Sequence, residues 1–161
     1  MKRYIYLSAV TLIVTIFSCR TENSGSTVNE TDRTTARELS ELWDNFIREY
    51  NKPEINGLLT LLTDDFVYMP SFNTTVNGKE SALGYFMNRK ENQNSTLRSF
   101  TSHEIFTYPS SAYEIGILEI SSVPSCGDQI ITAQRLMLVY RKYPDGKWKF
   151  SRWMAQDGLA E

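Results

Sequence analysis

The sequence offers few side chains able to carry out acid–base chemistry, and its only histidine, His103, is the first of them. An imidazole titrates near neutral pH, so His103 could act as a lone general base. One histidine cannot build a histidine-based metal cluster or a two-histidine relay. Because His103 lies between Ser102 and Glu104 in a predicted strand, we interpret it as a surface or packed residue.

Three more charged residues border apolar sequence: Asp64, Asp65 and Arg135. The aspartates are adjacent, and consecutive side chains of an extended segment point to opposite faces. We therefore interpret them as helix-end and turn residues rather than as an acid–base pair. Arg135 either anchors an anionic ligand in a pocket or pairs with Glu114 or Glu119, and we favour the ion pair.

The sequence contains no G-x-S-x-G nucleophile motif, phosphate-binding glycine loop or paired C-x-x-C. We therefore predict neither a cofactor nor a metal site, and we lean against enzymatic activity. The 17 basic residues are fewer than the 19 acidic ones and form no basic block, which argues against a nucleic-acid partner.

The amino terminus is typical of an export signal. Lys2 and Arg3 precede residues 4–17, which are uncharged and mostly apolar. As a helix this stretch would reach about 21 Å, whereas a bilayer core of roughly 30 Å needs about 20 apolar residues. The stretch is therefore too short for a good membrane helix and suits a signal peptide.

The next residues, Ile16-Phe17-Ser18-Cys19, resemble the lipobox of bacterial lipoproteins. The resemblance implies thioether lipidation of Cys19, cleavage just before it and acylation of the new amino terminus. Several acyl chains, at about 0.8 kcal/mol per buried methylene, would hold the chain on a membrane of the cell envelope, the outer membrane if the cell is Gram-negative. The alternative is an ordinary secretory signal with a chance cysteine.

The remaining chain divides into a tether and one domain. Residues 20–33 are rich in Ser, Thr, Asn and Glu and have almost no apolar side chains. We predict a signal peptide at 1–18, a flexible tether at 19–34 and a single domain at 35–161. If Cys19 carries lipid, Cys126 has no disulfide partner. It is then a free thiol, an intermolecular bridge or, as we favour, an incidental loop cysteine.

Helical spacing dominates the first half of the domain. Thr35-x-x-Glu38 matches a capping box at a helix start. A second helix is opened by Pro53 and closed by Asp64 and Asp65, and after a short strand at 66–69 the spacing predicts a third helix at 79–90. The first helix carries one apolar stripe: Leu39, Leu42, Trp43, Phe46, Ile47 and Tyr50.

The second half has strand-type sequence. Residues 97–108, 112–123, 129–142 and 147–156 are rich in β-branched and aromatic side chains. Turn sequences separate them, including Pro144-Asp145-Gly146. Helices followed by adjacent strands predict an α+β domain with an antiparallel sheet.

Six segments of this domain share a further resemblance: Tyr50-Asn51, Leu61 to Pro70, Asn77 to Glu80, Ser111 to Gly116, Val139 to Lys142 and Asp145 to Phe150. Together they resemble the nuclear transport factor 2-like superfamily, which includes ketosteroid isomerases and SnoaL-like polyketide cyclases. The resemblance covers roughly Thr35 to Gln156. It implies a cystatin-like α+β domain, in which a cone-shaped, curved antiparallel sheet wraps around three helices. It also implies a conical pocket at the wide end and frequent homodimers.

The reaction of the ketosteroid isomerases does not transfer with the resemblance. Those enzymes use a buried carboxylate base and acidic hydrogen-bond donors. The position of the tyrosine donor falls on Phe46, and that of the catalytic aspartate falls on Met69 or Pro70. None of these three side chains can move a proton.

A pocket formed by amphipathic helices on a bent sheet would be lined by aromatic side chains, and a plain core role is the alternative for each of them. Our candidates for its lining are Trp43, Phe46, Phe66, Tyr68, Phe86, His103, Arg135 and Trp153.

Three functions remain open from the sequence. The first is a non-catalytic envelope domain that holds a small, largely apolar ligand in its pocket. The second is an interaction module that dimerises or docks on another envelope protein through its exposed sheet face. The third is a small isomerase- or cyclase-like enzyme that uses His103 or an unidentified carboxylate. We favour the first.

Overall fold

A computed structural model of the chain describes residues 30–124 and 127–158. The predictions for Cys19 and Cys126 concern residues outside these ranges. The described chain has helix α1 (Glu30–Asn51), a 3-10 helix (Asn56–Thr60) and helix α2 (Lys79–Gln93). Within it, no helix combines the length and the apolar character needed to cross a membrane.

Helix α1 buries the predicted apolar stripe but begins earlier than predicted. It starts at Glu30 rather than Thr35, so residues 30–34 are helical and Thr35 is a buried residue inside the helix. The capping-box prediction is therefore wrong. Glu38 instead accepts hydrogen bonds from Trp148 Nε1 at 2.7 Å and from Lys142 Nζ at 2.9 Å. The bond from Lys142 is the main reason that the pKa of Glu38 is lowered.

The predicted second helix is only the 3-10 helix Asn56–Thr60. Asn56 and Gly57 are weak helix formers, with Gly about 1 kcal/mol worse than Ala. Leu62 pairs with Phe150 and so enters the sheet. The interpretation of Asp64 and Asp65 as helix-end residues is also wrong, because both lie in a strand where the register shifts.

Six strands form one curved sheet in the order β2-β1-β6-β5-β4-β3. The α+β class is confirmed, but the sheet is mixed rather than wholly antiparallel because β1 pairs with β6 in parallel. The long strands match the four predicted ones to within a few residues. The strands are β1 (Leu62–Met69), β2 (Val76–Asn77), β3 (Ser95–Thr107), β4 (Ser111–Ser122), β5 (Ile130–Lys142) and β6 (Trp148–Asp157).

Two glycines with positive φ fix the direction of the chain, and the one at Gly146 lies in the predicted turn. Gly146 takes a φ of 81° in the β5–β6 turn, where the Lys147 amide donates to the Asp145 carboxylate at 3.0 Å. Gly78 takes a φ of 84° immediately before α2. A side chain would strain both positions because φ is positive there.

Helix α1 lies antiparallel to β3 along the inner face of the sheet. At its end, the Asn51 amide donates to the Leu97 carbonyl at 2.8 Å and accepts from the Leu97 amide at 2.9 Å. Near its start, Thr107 donates a hydrogen bond to Asp32. These contacts hold the buried face of α1 against the sheet.

Asp65 joins three strands on the outer face. Arg141 donates to its carboxylate oxygens at 2.9 and 3.1 Å, and Arg152 donates at 3.1 Å. Desolvation raises the pKa of Asp65, but the nearby Thr63 hydroxyl and the two arginines outweigh it and lower the pKa to about 2.

We expect Asp65 to make the stability of the folded protein depend on pH in the acidic range. Because its pKa is lower in the folded state than the usual 3.8, its contribution is present above about pH 5 and is lost as the pH falls towards 2. The side chain is 51% exposed, so the effect should stay below about 1 kcal/mol. Urea unfolding should show that the free energy of unfolding decreases less between pH 6 and pH 3 for Asp65→Asn than for wild type. The same substitution at exposed Asp44 should leave the loss unchanged, and equal losses in all three proteins would contradict the assignment.

Candidate functional site

The interior between the sheet and the helices is filled by six aromatic residues that we call the aromatic cluster. All six are at most 4% exposed. The rings meet mostly edge to face, and Trp153 lies at the centre, with its centroid 5.2 Å from both Trp43 and Phe46. The members are Trp43, Phe46, Tyr68, Phe86, Phe150 and Trp153.

The indole nitrogen of Trp153 is buried and has no hydrogen-bond partner within the described chain. Leaving a buried donor unpaired costs about 1–3 kcal/mol. Buried Trp N–H groups usually find an acceptor. An unpaired donor inside an aromatic cluster is therefore a place where an acceptor from outside the described chain would be stabilised.

A second indole in the cluster begins a buried series of hydrogen bonds, which we call the polar chain. Trp43 Nε1 donates to the Tyr140 hydroxyl at 2.8 Å, and that hydroxyl donates to Glu114. Glu114 is 3% exposed and is the only buried charged residue in the ranges 32–124 and 127–158. Burial, with a further contribution from the Glu114 charge, raises the pKa of Tyr140 well above its usual value. The tyrosine therefore stays protonated and acts as a donor.

Phe100 fixes the orientation of Trp43. The two rings stack at 4.1 Å with an interplanar angle of 13°. Phe100 can lie there because Gly116 faces it: a Cβ at Gly116 would overlap the Phe100 ring and the Thr101 carbonyl. The absence of a side chain at Gly116 thus lets Phe100 position Trp43, the first donor of the polar chain.

The aromatic cluster continues towards α2 through Tyr68. Burial raises the pKa of Tyr68 far above its usual value, although the nearby Arg89 charge opposes this shift. The Tyr68 ring meets half-buried Tyr85 edge to face at 5.1 Å. Tyr85 therefore links the cluster to the surface of α2.

The structure brings together five of the eight predicted lining residues in the aromatic cluster. Phe66 is also fully buried, but it has no ring contact with the cluster among the residues described. His103 and Arg135 lie elsewhere and are exposed. The favoured pairing of Arg135 is not seen either, because Glu119 lies 3.9 Å from Arg98 and Glu114 is bonded to Tyr140.

Sequence reasoning missed Glu114, Tyr140 and Phe150 as interior residues. The alternation of side chains along a strand could have identified them. Glu114 lies on the same face of β4 as buried Leu118, and Tyr140 lies on the same face of β5 as buried Leu138. Across the described ranges, no group of three or more His, Cys, Asp or Glu side chains is arranged to hold a metal ion.

Comparison with protein-family models and with curated proteins returns no match for this sequence. Solved structures do match. A ketosteroid isomerase-like protein from Erwinia carotovora atroseptica superposes with a TM-score of 0.66 at 18% identity, covering 82% of this chain and 99% of the other. A nuclear transport factor 2-like superfamily protein from Salmonella enterica serovar Typhimurium gives 0.64 at 13% identity, covering 80% and 94%. A protein with a cystatin-like fold from Nostoc punctiforme gives 0.65 at 16% identity, covering 82% and 95%.

The chain has the cystatin-like fold of nuclear transport factor 2-like proteins. The predicted α+β cone is confirmed at this level. Identities of 13–18% support the fold alone. Phe46, Met69 and Pro70, to which the sequence resemblance assigns the proton-transfer positions of ketosteroid isomerases, are a buried ring and two partly exposed residues.

Proposed function

We propose that this protein is a lipid-anchored domain of the bacterial envelope that holds a small, largely apolar ligand against the aromatic cluster without catalysing a reaction on it. The unpaired Trp153 Nε1 within the cluster is the observation that carries the proposal. Every ring of the cluster is at most 4% exposed, so a ligand would reach its apolar surface only when these side chains move apart; the indole would then supply one directional contact. Ligand sites commonly combine an apolar lining with a few such polar groups.

The chemistry of the cluster restricts the ligand. Its oxygen must accept from an N–H donor, which suits a carbonyl, ester or ether. The cation–aromatic contacts in the described chain involve Tyr50, Trp148 and Tyr143, none of which belongs to the cluster. An ionised ligand group buried there would lack a counter-charge and would be costly. The ligand portion in the cluster is therefore uncharged.

The lipid-anchored part of this proposal is supported by the sequence. The lipobox-like Ile16-Phe17-Ser18-Cys19 supports lipidation at Cys19, with the domain held on the envelope membrane. The acidic and polar residues that follow supply a tether. A ligand-binding domain placed there would sample envelope molecules.

Replacing one indole by a phenyl ring tests the ligand contact. Full-length protein purified from the envelope of its own host should carry an adduct of a few hundred daltons in native mass spectrometry. Trp153→Phe should lose most of that adduct, because the ring remains but the donor is gone; one hydrogen bond of about 1.4 kcal/mol corresponds to tenfold in affinity.

Trp148→Phe is the matched control. It also removes an indole donor, but its Nε1 is bonded to Glu38 and lies outside the aromatic cluster. We expect it to keep the adduct. A wild-type protein that is empty, or equal adduct loss in both variants, would contradict the proposal.

A second candidate function is an interaction module that forms a homodimer, and the outer sheet face favours it. Ile115, Met137 and Met154 lie in register across β4, β5 and β6 and are 39%, 51% and 47% exposed. Exposed apolar patches of this kind mark interaction sites.

A charge in the centre of that face should break a dimer. We expect Met137→Asp to shift the full chain from dimer to monomer in sedimentation velocity. Met87→Asp, at a residue of similar exposure on α2, should leave the mass unchanged. A wild-type monomer at all concentrations would remove this second function.

A further inference from the structure

A cleft lies beside the carboxyl-terminal half of α2; it is polar along the helix, and Pro124, Ile130 and Ala133 line its other end. Two adjoining cavities of about 430 and 450 Å³ form it. They share Arg89, Asn92 and Gln93, so one face of the helix lines both.

The residues that line the cavity of about 450 Å³ include four amide side chains and no aliphatic one. Several of their polar atoms are free in the described chain. Asn92 donates to Asn88 at 2.9 Å, which leaves the Asn92 oxygen and the Asn88 amino group available. Arg89 makes one long contact, from Nε to Gln93 at 3.4 Å, so its two terminal nitrogens are available. Free donors and free acceptors are therefore both present in the cleft.

The charges of the cleft balance. Arg89 and Asp157 are the only charged residues among those that line the two cavities. Asp157 already accepts from Gln134 at 2.5 Å and keeps a second oxygen. The last turn of α2 also presents carbonyl groups, which disfavour an anion. A neutral ligand rich in hydroxyl groups fits this surface better than a charged one.

An exposed aromatic residue directly precedes the lining of the cleft in the sequence. Phe72 is 89% exposed, the most exposed large apolar residue described, and it directly precedes Asn73 and Thr74 of the cavity lining. A phenyl ring exposed to this extent loses the benefit of burial. The apolar face of a sugar ring would cover it while the hydroxyl groups reach the amides.

We propose that this cleft binds a neutral saccharide, with Phe72 as the stacking surface and Asn88, Arg89 and Asn92 as hydrogen-bond partners. The cleft meets the aromatic cluster through Tyr85, which lines the cleft and contacts Tyr68, but the proposal does not depend on a ligand in the cluster. It gives the envelope domain a second binding function directed at glycans.

Calorimetric titration of the full-length chain tests the proposal, in micelles of a detergent that has no sugar headgroup. The probes are cellotetraose, maltotetraose and triacetylchitotriose, with trigalacturonate as the charged comparison. We expect at least one neutral probe to bind with a Kd of about 1 mM or tighter. Phe72→Ala and Asn92→Ala should each weaken it about tenfold.

Phe106→Ala is the control, because it removes another exposed phenylalanine, on β3. It should bind as wild type does, and all four proteins should show the same urea midpoint. The proposal is overturned if no neutral probe binds, if trigalacturonate binds more tightly than every neutral probe, or if Phe72→Ala behaves like Phe106→Ala.

Discussion

Cys19→Ser should abolish lipid attachment completely. A serine hydroxyl cannot form the thioether that the lipobox resemblance implies at this position, so no acyl chain would be transferred. Cells fed an alkyne-labelled palmitate should label the wild-type chain and leave the variant unlabelled. The intact mass of the wild type should show loss of residues 1–18 and addition of lipid.

The second cysteine of the chain supplies the control. Cys126→Ser keeps the lipobox intact and should be labelled as strongly as wild type. If the Cys19→Ser chain is still labelled, the lipid is attached at another position; if the wild-type chain begins at residue 19 without added lipid mass, the segment is an ordinary secretory signal.

Tyr140→Phe should be the most destabilising of the conservative substitutions. The phenyl ring keeps its contact with Phe150, but the lost hydroxyl leaves the buried Glu114 carboxylate without its donor and Trp43 Nε1 without its acceptor. Each of the two unpaired buried groups costs about 1–3 kcal/mol, so the free energy of unfolding should fall by about 2–6 kcal/mol. Urea unfolding with an unchanged m-value would measure the loss.

A double variant distinguishes destabilisation by the lost hydrogen bonds from destabilisation by disturbed packing. Adding Glu114→Met to Tyr140→Phe removes the unpaired carboxylate and should recover at least about 1 kcal/mol, since replacing both partners by apolar groups is close to neutral. Tyr113→Phe removes a hydroxyl from the exposed face and should change stability by less than about 0.5 kcal/mol. Equal effects of the two tyrosine variants would contradict the role of the polar chain.

The sequence predicted the elements with strong local patterns. The long strands were found because β-branched and aromatic runs alternate with turn residues such as Asp145-Gly146. The stripe of α1 was found because its buried residues repeat at helical spacing. Its start was missed because Thr35 matches a cap, although tertiary contacts such as Asp32 with Thr107 extend the helix beyond it.

Contacts between distant segments could not be predicted. The parallel pairing of β1 with β6 joins segments from opposite ends of the domain, and no local pattern encodes it. Trp43 and Tyr140 are 97 residues apart in the chain, so their hydrogen bond appears only once α1 lies on β5. The aromatic members of the site were predictable as buried residues, whereas the unpaired state of Trp153 Nε1 depends on what surrounds it in three dimensions.

A crystal structure of the full-length protein purified from its own envelope tests the central proposal most directly. We predict electron density for an organic molecule in the aromatic cluster, with one oxygen about 2.8–3.1 Å from Trp153 Nε1. A cluster that contains no such molecule, with the indole bonded to a single water or to another protein group, would contradict the proposed ligand-binding function.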